Sequence, residues 1–255
     1  MRSIAVLASR ADEAQRAASE LTSRYETAAP EDADIIVALG GDGFMLHVQG
    51  RFMNTDVPIY GMNRGTVGFL MNTWKPEGLM ERIDAAVEQR IHPLQMEARD
   101  SYGQVHRAMA INEVSLFRAS AQAAKLSIKV DGRLRMEELI CDGVMVATPQ
   151  GSTAYNLSAQ GPILPLRAPL LALTPVSPFR PRGWRGALLQ NTSQVVMEVR
   201  EDEKRPVFAV ADHTEVRDAV RVEIHEDRER TGLLLFDAED TWDERVLSEQ
   251  FPDPY

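Results

Sequence analysis

Along the first ninety residues, short unbroken apolar runs alternate with stretches whose apolar positions recur every three or four residues. The runs Ser3–Ala8, Ala33–Leu39 and Val57–Tyr60 are brief and rich in β-branched residues, which predicts buried strands. The stretches at about Asp12–Tyr25, Phe44–Phe52 and about Pro76–Arg90 predict helices. The first places Ala14, Ala17, Ala18 and Leu21 on one face, with Ser9 as its cap. Strand and helix in turn imply a parallel, doubly wound sheet. From Ile91 onward the period changes to two, as in Gln104–Phe117 and Lys125–Val130, with Asp131-Gly132 as a hairpin turn. Six prolines between Pro162 and Pro181 rule out a long helix there and predict extended, irregular chain. Val195–Val199, Val207–Val210 and Val220–Ile224 read as further strands, and Leu233–Phe236 as a strand returning to the first sheet. The expected fold class is therefore α/β plus β: a doubly wound, Rossmann-like domain over residues 1–90, with 232–255 returning to it, and a β-rich, sandwich-type domain over 91–231.

Composition narrows the function. With 255 residues and 44% hydrophobic content, the chain can bury sizeable cores. A net charge of -10, from 28 basic and 38 acidic residues, opposes a nucleic-acid surface, which needs clustered Lys and Arg. Only five apolar residues, Ile4–Ala8, follow Met1-Arg2-Ser3, too few for a signal peptide, and no run approaches membrane-spanning length. The lone Cys141 excludes an intrachain disulfide and a cysteine-rich zinc site, and fits a reducing cytoplasm. The five histidines are scattered with no HExxH, so no side-chain metal cage is expected.

Four segments carry chemistry. Gly40-Gly41-Asp42-Gly43 stands where a buried strand gives way to a helix, so glycine allows close backbone approach and helix N–H groups can face an anion. Asp42 would repel phosphates unless it holds a cation or takes a proton; otherwise it is an ordinary helix cap. Gly61-Met62-Asn63-Arg64-Gly65-Thr66-Val67-Gly68-Phe69-Leu70 follows the third strand and reads as a second loop at the same sheet edge, where ligands of open α/β sheets bind. There Arg64 offers a fixed charge to phosphate oxygens and Phe69 an apolar wall. Asn112-Glu113 places two polar groups in an apolar strand, where vicinal ribose hydroxyls would satisfy both. Asp142 to Ser158 holds a strand, a Pro/Gly turn and a helix start, in which Ser152 or Thr153 can cap and Tyr155 can lie on a flat base. A nucleophilic serine elbow is disfavoured, because Ala154 replaces the second glycine of GxSxG.

In order and spacing, Gly40-Gly41-Asp42-Gly43, Asn63-Arg64-Gly65…Gly68-Phe69-Leu70, Asn112-Glu113 and Asp142-Gly143 with Thr148-Pro149-x-Gly151-Ser152-Thr153-Ala154-Tyr155 resemble the NAD kinase family. The resemblance covers roughly residues 33 to 225 and implies phosphoryl transfer to the 2′-hydroxyl of the adenosine ribose of NAD. It makes Asp42 the general base, Gly43 a part of the phosphate loop, and His47 a neighbour of the same phosphates. Asn112 and Glu113 match residues holding the ribose and adenine side. Thr153, Ala154, Tyr155 and Ser158 match the adenine pocket. Asp142 matches a residue reaching the nicotinamide end across a subunit interface, with Ser177 near the same carboxamide, which implies a homodimer or homotetramer. Of the family's late Asp-Gly-Gln only Asp212 remains, before His213 and Thr214, and Gln150 and Gln160 also depart from its pattern. A divalent cation such as Mg²⁺ and a donor, ATP or polyphosphate, complete the expected partners; no GxxxxGK[ST] loop is present. The alternatives are a lipid or sugar kinase sharing the GGDG loop, and a dinucleotide-binding protein without catalysis.

Overall fold

Ile4–Ala8 (β1), Ile35–Gly40 (β2) and Ile59–Asn63 (β3) pair in parallel, Ile4 beside Ile35 and Ile36 beside Ile59. The computed structural model describes residues 2–65 and 68–251, so Thr66 and Val67 of the second glycine loop lie outside the described residues. The chain divides into two compact units, Met1–Ile91 with Arg230–Tyr255, and His92–Glu229. In the first unit all six residues of β2 are buried, as a central strand covered on both faces requires. The helices Asp12–Arg24 (α1), Asp42–Phe52 (α2) and Leu79–Ala85 (α3) follow β1, β2 and β3. α1 buries Ala14, Ala17 and Leu21 among Ile4, Ile35 and Leu39. Its expected cap at Ser9 does not form, because Ala11 holds the N-cap position and Ser9 instead accepts the Gln15 side-chain amide on its carbonyl at 2.7 Å.

The helix expected over 76–90 needs correction. α3 ends at Ala85 and Val87–Ile91 is a strand (β4), in which Gln89 and Ile91 are buried while Glu88 and Arg90 face water. That period of two cannot be met by a helix.

The second unit is a pair of antiparallel sheets packed on one core. In chain order its elements are Leu94–Asp100 (β5), Val105–Ala110 (β6), Glu113–Arg118 (β7), Ala124–Val130 (β8), Arg133–Cys141 (β9), Gly143–Ala147 (β10), a 3₁₀ turn at Gly151–Thr153, Tyr155–Ser158 (α4), Leu170–Val176 (β11), Ala187–Gln190 (β12), Val195–Val199 (β13), Val207–Ala211 (β14), Thr214–Val216 (β15) and Ala219–Glu226 (β16). One sheet runs β12-β11-β10-β7-β14-β15 and the other β6-β5-β16-β13-β8-β9. Leu116, Val144 and Val146 of the first meet Met96, Ile128, Met197 and Val222 of the second in one buried cluster, which makes a sandwich. Asp131 and Gly132 both have positive φ, 52° and 74°, as a two-residue hairpin of right-handed twist demands.

The chain then returns to the first unit. Gly232–Phe236 (β17), wholly buried, runs parallel to β3 and antiparallel to β4, giving the order β1-β2-β3-β17-β4. One edge of the sheet is therefore antiparallel rather than doubly wound throughout. A final helix, Trp242–Gln250 (α5), which the sequence pattern did not predict, sets Trp242 against Phe69 and Phe236. Among the described residues no helix is long and apolar enough to cross a membrane.

Candidate functional site

The first unit presents its chemistry beyond the C-terminal ends of β2 and β3, where parallel strands release their loops. Gly41 is the N-cap of α2 and Asp42 its first helical residue, with no side-chain cap bond. The Asp42 carboxylate turns instead to the second loop: one oxygen accepts the Phe69 N–H at 2.8 Å, the other the Leu70 N–H at 3.0 Å. Gly68 makes this approach feasible, since a Cβ there would overlap the Asp42 carboxylate. The same loop is held at its other end by Arg64 N–H to the Gly40 carbonyl at 2.8 Å and by Gly65 N–H to the Asn63 side chain at 2.9 Å. Two loops distant in sequence are thus joined around one carboxylate.

The remaining first-unit candidates stand as follows. Gly43 is exposed with open space about its Cα. His47 lies on the exposed side of α2, its ring 6.4 Å from that of Phe44. Arg64 stacks its guanidinium 5.0 Å over Trp74, 4.0 Å from Glu13, and its Nε is buried without a hydrogen-bond partner. Phe69 packs 6.1 Å from the Trp242 ring and its carbonyl accepts Arg245 at 2.8 Å.

In the second unit the segment before β7 meets the end of β10 and the β14–β15 turn. The Asp212 carboxylate accepts the N–H groups of Ile111 (2.6 Å), Asn112 (3.0 Å) and Glu113 (3.2 Å). Across from it, Thr148 donates its hydroxyl to the Ile111 carbonyl at 2.7 Å and its N–H to the Asn112 carbonyl at 2.9 Å. Burial raises the Asp212 carboxyl above its ordinary range, opposed by those three N–H donors and by His213. Burial, reinforced by the Asp212 charge, pushes the Glu113 carboxyl up to about 7. One Glu113 oxygen, Oε2, is buried with no hydrogen-bond partner. Such an acceptor is costly to bury unless a ligand donates to it.

Next to this segment, neither Ser152 nor Thr153 caps α4, a correction to the expected capping. The N-cap is Ala154, without a side-chain bond. The 3₁₀ turn brings carbonyls closer: Ser152 donates to Pro149 at 2.6 Å and Thr153 to Gln150 at 3.2 Å. Tyr155 is 41% exposed with its ring 5.6 Å from Phe117, leaving an open aromatic face. Ser158 and Ser177, both exposed, line one cleft of about 360 Å³ with Gln160, Trp184 and Arg185. Asp142 pairs with Arg118 at 2.7 Å and donates its N–H to the Val176 carbonyl, beside Ser177. Cys141 is buried, and burial pushes its thiol up to about 12, so it is no nucleophile.

Three residues with structural parts here had no role in the sequence reading. Thr148, Gly68 and Asn156 each sit inside a motif noted for its neighbours. Asn156 is wholly buried, donating to the Ser152 and Pro162 carbonyls and accepting the Thr174 hydroxyl at 2.6 Å. For Thr148 and Asn156 the available signal was a polar side chain between largely apolar neighbours.

A glycine-rich strand-to-helix junction with a fixed carboxylate, joined in the same chain to a β-sandwich bearing an open aromatic and a buried acid, defines a nucleotide-handling phosphotransferase. Residues 3–91 match the ATP-NAD kinase N-terminal domain and residues 111–229 the ATP-NAD kinase C-terminal domain. An NAD kinase of Rhizobium meliloti (strain 1021) is 59% identical, covering 98% of this chain and 97% of the relative. One of Brucella suis biovar 1 (strain 1330) is 60% identical, covering 94% and 93%. Among solved structures, yeast NADH kinase complexed with NADH aligns with a TM-score of 0.83 at 21% identity, covering 100% of this chain and 89% of that one. An NAD kinase from Archaeoglobus fulgidus in complex with ATP aligns at 0.75 and 23%, covering 99% and 100%. The chain belongs to the NAD kinase family.

Proposed function

We propose that Asp42 is the general base by which this chain phosphorylates NAD to NADP, with ATP as phosphoryl donor. Family membership over nearly the whole chain carries the activity. The observation that favours Asp42 is its carboxylate, held in one orientation by the Phe69 and Leu70 N–H groups at the start of α2. Two donors leave lone pairs free to accept a hydroxyl proton. A ribose hydroxyl is a poor nucleophile at neutral pH, and such a base contributes on the order of a hundred- to ten-thousandfold. The 2′-oxygen forms its bond to the γ-phosphorus as the bond to the bridging oxygen breaks; the proton passes to Asp42 and ADP leaves.

Gly43 and the N–H groups at the head of α2 receive phosphate oxygens, with His47, Arg64 and Phe69 bordering the same loop. Asn112 and Glu113 take ribose hydroxyls, Thr153, Ala154, Tyr155 and Ser158 the adenine, and Asp142 and Ser177 the nicotinamide end. Among the described residues no three acidic, histidine or cysteine side chains cluster as a metal cage. A divalent cation would be held by the donor's phosphates with at most one carboxylate beside it, and would supply charge neutralisation. The reading extends to a cytoplasmic homodimer or homotetramer, association alone being supported by Leu134, Phe179 and Leu188, each more than half exposed on the second unit.

The test is an assay with NAD, Mg²⁺ and ATP, read as NADP formation. Asp42→Asn should keep the NAD Michaelis constant within a few-fold while turnover falls at least a hundredfold. Turnover like that of the wild type would remove Asp42 as the base. Replacing ATP by polyphosphate in the same assay identifies the donor.

A further inference from the structure

Every backbone polar group of residues 111 to 113 is taken up by two residues. Asp212 accepts all three N–H groups on its carboxylate and donates its own N–H to the Glu113 carbonyl at 3.2 Å. Thr148 takes the other two carbonyls, that of Ile111 through its hydroxyl and that of Asn112 through its N–H. The Thr148 hydroxyl also accepts the Gly151 N–H at 3.0 Å, tying the clamp to the turn that leads to Tyr155. Gly151 packs so closely that a Cβ would overlap the Asn112 backbone. Asp212 itself has a left-handed φ of 49° in the turn between β14 and β15, a conformation that Asp adopts more readily than most side chains.

With all three N–H donors engaged and each carbonyl already accepting a bond, the side chains are the principal groups that the segment offers a ligand. Asn112 has one long contact, 3.5 Å from Gln150, and Glu113 holds its buried, unpartnered oxygen. A carboxylate that already accepts three N–H bonds and is itself largely buried has little left to offer a dinucleotide. Its removal would instead free three N–H donors next to the Glu113 acid.

We propose that Asp212 and Thr148 are positioning residues: together they lock the Ile111–Glu113 segment so that the Asn112 and Glu113 side chains are presented to the dinucleotide at fixed geometry. This rests on the reading of Asn112 and Glu113 as NAD-binding. It assigns Asp212 to the support of the site in place of direct contact.

The full-length enzyme carrying Asp212→Asn, Thr148→Val, Thr148→Ser or Glu113→Gln should be assayed for the NAD and ATP Michaelis constants, turnover and thermal midpoint. Asp212→Asn and Thr148→Val should each raise the NAD constant at least tenfold, with the ATP constant within twofold. Thr148→Ser, which keeps the hydroxyl, should stay within threefold of wild type. Because Asp212 acts through Asn112 and Glu113 together, adding Asp212→Asn to an enzyme that already carries Asn112→Ala and Glu113→Gln should raise the NAD constant by less than threefold more. An unchanged NAD constant in both clamp variants overturns the proposal, as does a parallel rise in both constants or a Thr148→Ser enzyme as impaired as Thr148→Val. If Glu113→Gln alone leaves the NAD constant unaltered, the binding role of Glu113 is what fails. If it raises the constant and Asp212→Asn does not, the clamp alone is wrong.

Discussion

Gly68 is the residue on which the orientation of Asp42 turns. A methyl group there would occupy the place of the Asp42 carboxylate, which takes two N–H bonds from the residues that follow. Gly68→Ala should therefore displace the carboxylate and, on the proposed role of Asp42 as base, lower turnover by an order of magnitude or more, since small misplacements of a reacting group cost about a hundredfold. A kinetic assay beside a thermal melt checks this: an unaffected rate would mean that the loop yields without moving Asp42. Glu113 makes a prediction of a different kind. Its carboxyl is raised from 4.5 to about 7, first by burial and then by Asp212. Between those values the folded protein keeps a proton that the unfolded chain has lost, so stability is greatest below about pH 4.5 and falls as pH rises through 7. The loss is on the order of 3 kcal/mol at most above that range. Glu113→Gln cannot ionise, so it should unfold at higher urea than wild type at pH 8, with the gap closing toward pH 5. An equal gap at both pH values would show that ionisation is not the cause.

Single elements show how a turn can depend on one buried amide. Asn156 joins the 3₁₀ turn, the Pro162 carbonyl and Thr174 of β11, and Gly161 leaves room for it where a Cβ would overlap its side chain. Asn156→Ala strands a hydroxyl and two carbonyls in the interior and should cost about 2–4 kcal/mol, read as an earlier urea midpoint. A shift below the measurement error would mean that water replaces the amide. The same elements explain what was legible in the sequence. Unbroken apolar runs such as Ile35–Leu39 declare a covered strand at once, and the glycine motifs after them locate the site's loops. β4 was hidden because Glu88, Gln89 and Arg90 favour helices and five residues give too little period to outweigh them. β11 was hidden by its prolines, yet Pro175 pairs in register with Val144 beyond the four residues that β12 covers, so no ladder bond is required of its missing N–H. The positioning role proposed for Thr148 and Asp212 was out of reach although both sit in motifs, because a bond to another segment's main chain leaves no pattern in the sequence of that segment.

The whole molecule is a discontinuous unit carrying a continuous one. The second unit closes on itself, Asp227 N–H bonding the Pro93 carbonyl at 2.8 Å, while Ile91 and Gly232, next to the two connections, are paired in the first unit. All of the sandwich core therefore lies within one stretch of sequence, whereas the first unit needs residues from both ends of the chain. What the C-terminal segment adds there is substantial. β17 is an interior strand, Asn72 bonds the Leu235 carbonyl at 3.0 Å and the Asp237 N–H at 3.0 Å, and Asp237 takes both Tyr60 and Arg82 at 2.5 Å. Removing it would leave β3 and β4 with unpaired backbone edges and strip Arg82 and Tyr60 of their partner, a deficit too large for a first unit of marginal stability to absorb. A chain ending at residue 229 should thus lose activity and its helical circular-dichroism signal yet retain a cooperative β-type melt, and residues 92–229 expressed alone should give the same melt. Limited proteolysis should degrade the truncated chain to a fragment within those bounds. A truncated protein that kept its helical signal and resisted cleavage before residue 92 would show that four strands suffice for the first unit, and that the returning segment is an accessory to the sheet rather than part of its core.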